Sequence, residues 1–347
     1  MTRLRRVLFS VGFPAAGAAL LALTITLIVA LSSSDAQARP QLIVASLPHP
    51  PPLRVPPPHH VKPLLFSPFT GQRVRSLKPV LAVKIDNIVD ARPQTGLQAA
   101  DIVYVLPVEG GLTRFMAVFS SHLPRVVGPV RSAREDDLPL LRQFGKPAFS
   151  YSGATPHLLP FIHRARLFDL YAGIAGGYFR SPDRFAPHNE YAYPAQLLRE
   201  ARHASKARDI GFRFGPIPTR GTAMRSYSVS YPAASYTFRW SAKAKRWLVW
   251  MDGAPAMATE GGQLGGATVI IQYTVVRTSR FLEYGSRPPY ASSLNSGKAV
   301  VLRNGRAFGV RWSRPKIDGG TTFTLKSGKR MTFSRGQVWV VLVAAPR

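Results

Sequence analysis

Residues 80–134 read VLAVKIDNIVDARPQTGLQAADIVYVLPVEGGLTRFMAVFSSHLPRVVGPVRSAR, and this stretch decides the fold. Three apolar runs stand in it, at 80–85, 102–105 and 115–119. Each has strand length and is rich in β-branched or aromatic residues, so each predicts a buried strand. Between and after the runs lie Asp86, Asn87, Arg92, Gln94, Asp101, Glu109, Arg114, Arg131 and Arg134. Polar groups gathered at the ends of buried strands are where folds usually carry chemistry.

Working outward, 148–151 reads as a fourth strand. Ser132 and Glu135 have capping-box spacing, which predicts a helix opening there and running through Leu141. Thr155 followed by Pro156 gives a second helix start, and 194–204 a third pattern with Leu197, Leu198 and Ala201 on one face. The expectation for 64–209 is therefore an α+β (or α/β) domain. Residues 225–345 read differently. Strand-length runs recur at 227–231, 236–240, 247–251, 268–276, 299–303, 307–312, 321–325 and 338–343. Asn304 and Gly305 between two of them form a strong short hairpin signal, and Asp252 with Gly253 and Ser327 with Gly328 are further turns. This predicts a mostly β C-terminal domain.

The N-terminus predicts the compartment. Arg3, Arg5 and Arg6 precede an uncharged apolar run at 7–31. As a helix that run would reach about 37 Å, enough to cross a bilayer. The basic flank would stay cytoplasmic and the remainder would be extracytoplasmic. Segment 1–38 is read as a signal-anchor, a transmembrane helix making the chain a single-pass protein of the cell membrane. The small residues Ala36 and Ala38 keep open a secreted product cleaved after Ala38. Residues 39–63 are a proline-rich linker of extended, stiff character.

Lysine and arginine total 46 against 17 acids, a formal charge of +29. A basic proteome explains this in one reading, a nearby polyanion in the other. Most of the excess lies late in the chain. From residue 210 onward, 21 basic residues face only Asp252, Glu260, Glu283 and Asp318, whereas 64–209 holds 19 basic and 12 acidic residues. External topology argues against nucleic acid as the polyanion. The absence of cysteine excludes disulfides, thiol catalysis, cysteine-ligated zinc and a lipidated N-terminal cysteine.

The segments KIDN, ARPQTGLQAADIVY, VEGGLTRFMAVF and GPVRSAR, followed by APHN at 186–189 and the run at 336–343, occur in an order that resembles the YerB-like family of bacterial envelope lipoproteins. The resemblance covers about 65–345 and implies an envelope-anchored, two-part domain of unknown function. It supplies no reaction. The chain departs from the family pattern in lacking an anchoring cysteine. It departs also at Val105, where the resemblance leads one to expect a glutamate.

Three constellations could carry chemistry. Arg131 and Arg134 flank the expected helix start, where free amides and the helix dipole would favour a carboxylate or phosphate. Glu135, Asp136 and Asp137 could instead complement that dipole themselves. Asp86 and Glu109 could serve as acid and base, with Asp101 nearby. Equally, Asp86 and Asn87 could close a turn, Asp101 could fix Arg92 or Arg114, and Glu109 could open a tight turn. His188 and Asn189, with Asp183 and Arg184 upstream, offer a base or simply satisfy a loop. Tyr236, Trp240, Trp247 and Trp250 alternate with basic residues, as either a sugar-stacking surface or half-buried strand positions. No metal site or cofactor is expected.

The reading is an anchored protein binding an anionic envelope component, a wall polymer or carboxylated glycopeptide. Arg131, Arg92 and Arg114 would make specific contacts, with Asn87, Gln94, Asp101, Arg134 and Asn189 around them. The rival is an envelope-polymer hydrolase or transferase using Asp86, Glu109 and His188. A third possibility is an assembly scaffold.

Overall fold

The computed structural model describes residues 64–283 and 285–346. The expected membrane helix, its cleavage site and the proline-rich linker lie outside these residues. Among the described residues, no helix is long and apolar enough to cross a membrane.

The first part of the chain contributes β1 (Leu81–Ile85), β2 (Ile102–Pro107), β3 (Thr113–Phe119), α1 (Asp137–Leu141), β4 (Ala148–Tyr151), α2 (Leu159–His163), β5 (Phe168–Tyr171), β6 (Tyr178–Arg180), β7 (Glu190–Ala192) and α3 (Pro194–Glu200). The second part is almost all strand. It contains β8 (Thr222–Ala223), β9 (Ser226–Tyr231), β10 (Ala234–Ser241), β11 (Arg246–Met251), β12 (Ala254–Pro255), β13 (Gly265–Gly266) and β14 (Thr268–Thr274). It continues with β15 (Val276–Thr278), β16 (Pro289–Ala291), β17 (Asn295–Arg303), β18 (Arg306–Arg314), β19 (Thr322–Leu325) and β20 (Val338–Ala344).

One long mixed sheet runs β19-β18-β17-β14-β20-β2-β3-β1-β4-β5. The two sequence regions meet inside it, where β2 pairs in parallel with β20, Ile102 opposite Val338 and Val105 opposite Val341. The boundary near residues 210–225 is thus a boundary of sequence, and the sheet runs across it.

The continuous apolar runs follow from burial of both sheet faces. Alternate residues feed two separate layers. Ile102, Tyr104, Met116, Val118, Val338 and Val340 enter one, with Leu140, Phe144, Leu158 and Ile162 from the helical segments. Leu81, Val83, Val103, Phe115, Ala117 and Trp339 enter the other, under Tyr236, Phe238, Trp247 and Val249 of a smaller sheet ordered β12-β11-β10-β9. Truncating a fully buried side chain such as Trp339 to alanine would cost about 3–5 kcal/mol.

The Asn304 and Gly305 turn is present between β17 and β18, both residues with positive φ as a two-residue hairpin turn requires. The helix expected from Ser132 is not. Residues 132–134 are irregular and α1 starts at Asp137. Glu135 does not reach back to cap. Its carboxylate bonds Ser279 Oγ at 2.8 Å, the Arg280 amide at 2.8 Å and Arg280 Nε at 2.7 Å. A distant charged loop outcompetes the local capping box. The helix at Thr155 likewise opens later, at Leu159. The 268–276 run is two strands, β14 and β15.

Candidate functional site: Asp86, Arg131 and His188

Three chain segments are knitted together at the carboxyl end of β1. The Asp86 amide donates to the Pro129 carbonyl at 2.9 Å, Arg131 N to Lys84 O at 2.8 Å, and Val130 N to Glu190 O at 2.6 Å. These bonds bring KIDN, GPVRSAR and APHN, far apart in sequence, to one place. Asp86 is only 1 % exposed and stands at the centre. Its Oδ1 accepts the Asn87 amide at 2.8 Å. Its Oδ2 lies 2.7 Å from His188 Nδ1 and 3.0 Å from Arg131 Nε.

A buried carboxylate costs free energy unless it is paired. Here its partners are held by the same bonds. Arg131 and His188 keep 17 % of their side-chain surface exposed. Among the described residues, neither η nitrogen of Arg131 nor Nε2 of His188 has a hydrogen-bond partner, and Arg131 Nε meets Asp86 as an ion pair without hydrogen-bond alignment. Asp86 thus anchors the inner edges of two cationic or proton-bearing groups and leaves their outer edges free. The Arg131 η donors suit the oxygens of a carboxylate or phosphate, and His188 Nε2 joins them as a donor when the imidazole is protonated, since Nδ1–H facing Asp86 leaves Nε2 an acceptor in the neutral ring.

The remaining candidates sort into supports. Asn87 Nδ2 donates to Thr113 Oγ1 at 3.0 Å and to the Tyr236 hydroxyl, and Asn87 Oδ1 accepts from Gln94 Nε2 at 2.8 Å. Gln94 also reaches Asp86 O at 3.2 Å. Both hold the Asp86 turn. Arg92 donates to Asp252 Oδ2 at 2.7 Å and Asn87 O at 2.9 Å, so its donors clamp the turn to the β10–β11 sheet. Asp101 fixes neither Arg92 nor Arg114. It accepts the amides of Ser120 and Ser121 at 2.7 and 2.8 Å, at the opposite end of the strands. Asn189 accepts from Arg180 at 2.8 Å and donates to Ser181 O, which staples its own loop.

A second charge cluster adjoins the first. Glu109 accepts Arg114 Nη2 at 3.1 Å and Arg134 Nε at 2.8 Å, plus Arg134 Nη2. Burial pushes the Glu109 carboxyl up, but the Arg134 hydrogen bond and the charges of Arg114 and Arg134 outweigh it and hold it at about 2. A group so firmly ionised acts as a counter-ion; it has no proton to give near neutrality. Burial first, then the charge of Arg134, pull Arg114 down to about 10; Arg131 adds to this, while Glu109 and Asp86 oppose it. The mutual effects show that the two clusters share one field.

Arg134 also meets Glu283 at 3.2 Å, and its amide donates to Asp137 Oδ2 at 2.7 Å. Asp137 in turn pairs with the fully buried Lys84 at 2.6 Å. Among the described residues, no side chain caps the five-residue α1; its first amides go to backbone carbonyls, Asp137 N to Arg134 O at 3.2 Å and Leu138 N to Glu135 O at 3.4 Å. Beside it, burial and then the Asp137 charge push Asp136 up to about 7, against Lys84 and the Ala291 amide. Lys84, Thr113, Tyr236 and Asp252 belong to this assembly although sequence reading did not select them as site residues. Lys84 carried a signal, as a charge inside an otherwise apolar strand run. The other three carried none.

Tyr236 and Trp247 are core residues, at 1 % and 0 % exposure, so they offer no sugar-stacking face. Trp250 is half-buried beneath the Arg239 guanidinium, 4.5 Å from its ring centre. Val105 is buried in the second apolar layer, opposite Phe115 and Val341. A carboxylate at that place would enter a hydrocarbon layer. Among the described residues, no group of His, Asp or Glu could hold a metal ion.

Two family models match the chain: the N-terminal domain of a protein of unknown function, DUF3048, over residues 69–208, and its C-terminal domain over 227–340. The chain is also similar to a Bacillus subtilis (strain 168) protein named "Putative lipoprotein YerB", 28 % identical over 297 residues that cover 80 % of this chain and 86 % of the relative. The crystal structure of YerB from Bacillus subtilis superposes with a TM-score of 0.68 at 24 % identity, covering 80 % of this chain and 96 % of that one. That likeness is one of fold.

Proposed function

The chain belongs to the DUF3048 family, a family of unknown function, and from that premise we propose that residues 64–346 bind an anionic component of the cell envelope through Arg131 and His188. One observation carries the reading. A single buried carboxylate, Asp86, is hydrogen-bonded to His188 Nδ1 and ion-paired with Arg131 Nε, and the outer nitrogens of both side chains are without a partner among the described residues. An oxyanion bridging the Arg131 η nitrogens and a protonated His188 Nε2 would gain charge-assisted bonds to groups already held in place, with little ordering cost. The basic excess after residue 210 would add diffuse attraction. The lipoprotein name of the B. subtilis relative and the apolar run at 7–31 favour an envelope location.

The test is retention of the full-length chain, in detergent, on purified cell-wall sacculi across a salt series. Arg131→Ala is expected to weaken retention about tenfold, the worth of one charge-assisted contact. Equal retention by wild type and variant would refute the reading.

A second reading has its own observation, the 2.7 Å bond between Asp86 and His188 Nδ1. A carboxylate that orients an imidazole in this way leaves Nε2 able to move a proton. In that case the chain is an envelope-polymer hydrolase or transferase, with His188 as the acid–base group and Asp86 as its orienter. Release of soluble fragments from sacculi, lost in His188→Ala and retained in Glu109→Gln, would support it. No release by the wild type would dismiss it.

A further inference from the structure

A cleft of about 700 Å³ lies at the other end of the sheet. Asp101, just before β2, and Gln337, just before β20, line it. Strands β1, β2, β14 and β20 run in the same direction, since β1 and β2 both oppose β3 and β20 is parallel to β2 and β14. The cleft therefore sits at their amino ends, whereas Asp86 follows the carboxyl end of β1. The five residues of β1 alone separate the two levels by about 16 Å.

The lining is strongly one-sided in charge. His122, Lys245, Arg246 and Arg335 come to it from three segments, and Asp101 is its one carboxylate. Asp101 is turned to the protein, with both nearby serine amides on Oδ2. Arg246 donates to the Gly265 carbonyl and, at 3.4 Å, to Gln337 Oε1, and among the described residues it meets no carboxylate. Gln337 is itself fixed, donating to Leu97 O at 2.7 Å and Ala100 O at 2.8 Å. Arg335 lies over the Phe66 ring at 5.2 Å, which steadies its stem without neutralising it. Lys245 and Arg335 are exposed at the rim and Arg246 is half-buried.

We propose that this cleft is a separate binding site for an extended chain bearing phosphate groups. Its volume falls in the range of sites for ligands of several hundred daltons, far more than one inorganic ion needs. Cations contributed by two segments, Lys245 with Arg246 and Arg335, match charges repeated along a chain. A monoester or terminal phosphate gives each cation more charge and more acceptor oxygens than a carboxylate does. The inference does not depend on Arg131.

The experiment is calorimetric titration of the full-length chain in detergent with linear inorganic polyphosphate, over a range of salt. The double variant Lys245→Glu/Arg335→Glu is expected to lose about tenfold in affinity and to show a salt dependence shallower by about 1.5 units of log K per log salt. The control Lys326→Glu/Lys329→Glu makes the same charge change at another exposed turn and should stay within about twofold of wild type. Equal weakening in the control would mean diffuse attraction alone and would overturn the proposal. So would an unaffected cleft variant, or loss confined to Arg131→Ala.

Discussion

The two halves of the sheet neutralise their buried arginines by different means, while the exposed Arg277 and Arg280 of the second half pair with Glu135. In the first half the partner is a carboxylate: Asp252 for Arg92, Glu109 for Arg114, Asp86 for Arg131, Glu109 and Glu283 for Arg134, and Asp318 for Arg142. In the second half the buried arginines turn to backbone carbonyls. Arg314, fully buried, donates to Pro139 O, Ile317 O and Gly319 O at 2.6–2.9 Å. Arg303 donates to Thr332 O at 2.7 Å and Gly215 O at 3.2 Å. A carbonyl satisfies the hydrogen-bonding need but leaves the net charge standing. Three of the four acids beyond residue 210 are spent on arginines of the first half, and Glu260 bonds the Gly96 amide. The second half thus keeps its positive field, while in the first half Arg131 is the motif arginine whose two η nitrogens both lack a hydrogen-bond partner among the described residues. A focused contact and a broad attraction are separated along one sheet.

The largest expected effect tests the carboxylate side. Lys84→Met strands Asp137 as an uncompensated charge with 0 % exposure, and should cost about 3–5 kcal/mol in denaturant unfolding. A loss below about 1 kcal/mol would mean the pair carries little of the fold.

Glu109→Gln comes next and separates the two modes by pH. The Glu109 carboxyl is held at about 2 against an ordinary 4.5. A depressed pKa contributes stability that is present above pH 4.5 and fades as pH falls through about 2. That shift corresponds to roughly 3 kcal/mol. The variant should lose about that much at neutral pH and show a flatter acid limb. Arg303→Met, whose partners are carbonyls and do not titrate, should cost about 1–3 kcal/mol with its acid limb unchanged. Parallel pH profiles for wild type and Glu109→Gln would break the distinction.

The smallest effect is expected at the exposed basic turn. Lys326→Glu/Lys329→Glu should leave unfolding within about 0.5 kcal/mol of wild type. A larger change would mean that the uncompensated charges hold the fold as well as the field.

Much of this was legible in sequence because it was local. The strand runs at 148–151, 102–105 and 338–343, and the Asn304 and Gly305 hairpin, follow from side-chain periodicity and turn chemistry. The short strands β6 and β7 carry no such periodicity and escaped it. The capping box at Ser132 failed because Glu135 found Arg280, 145 residues away. The site was half legible. Asp86, Arg131 and His188 each stood out by residue type and place, but their meeting depends on loops from 129–131 and 188–190 closing over the end of β1. The role of Asp252 as partner to Arg92 and of Tyr236 as partner to Asn87 joins residues about 150 positions apart, and no local pattern encodes that.

The most direct measurement is the NMR spectrum of arginine side-chain N–H groups during titration of the full-length chain with inorganic phosphate. The account predicts that the Arg131 η resonances shift, those of Arg114 and Arg134 hold still, and the Arg131 response disappears in Asp86→Asn. An unmoved Arg131, or equal movement of all three guanidinium groups, would contradict it.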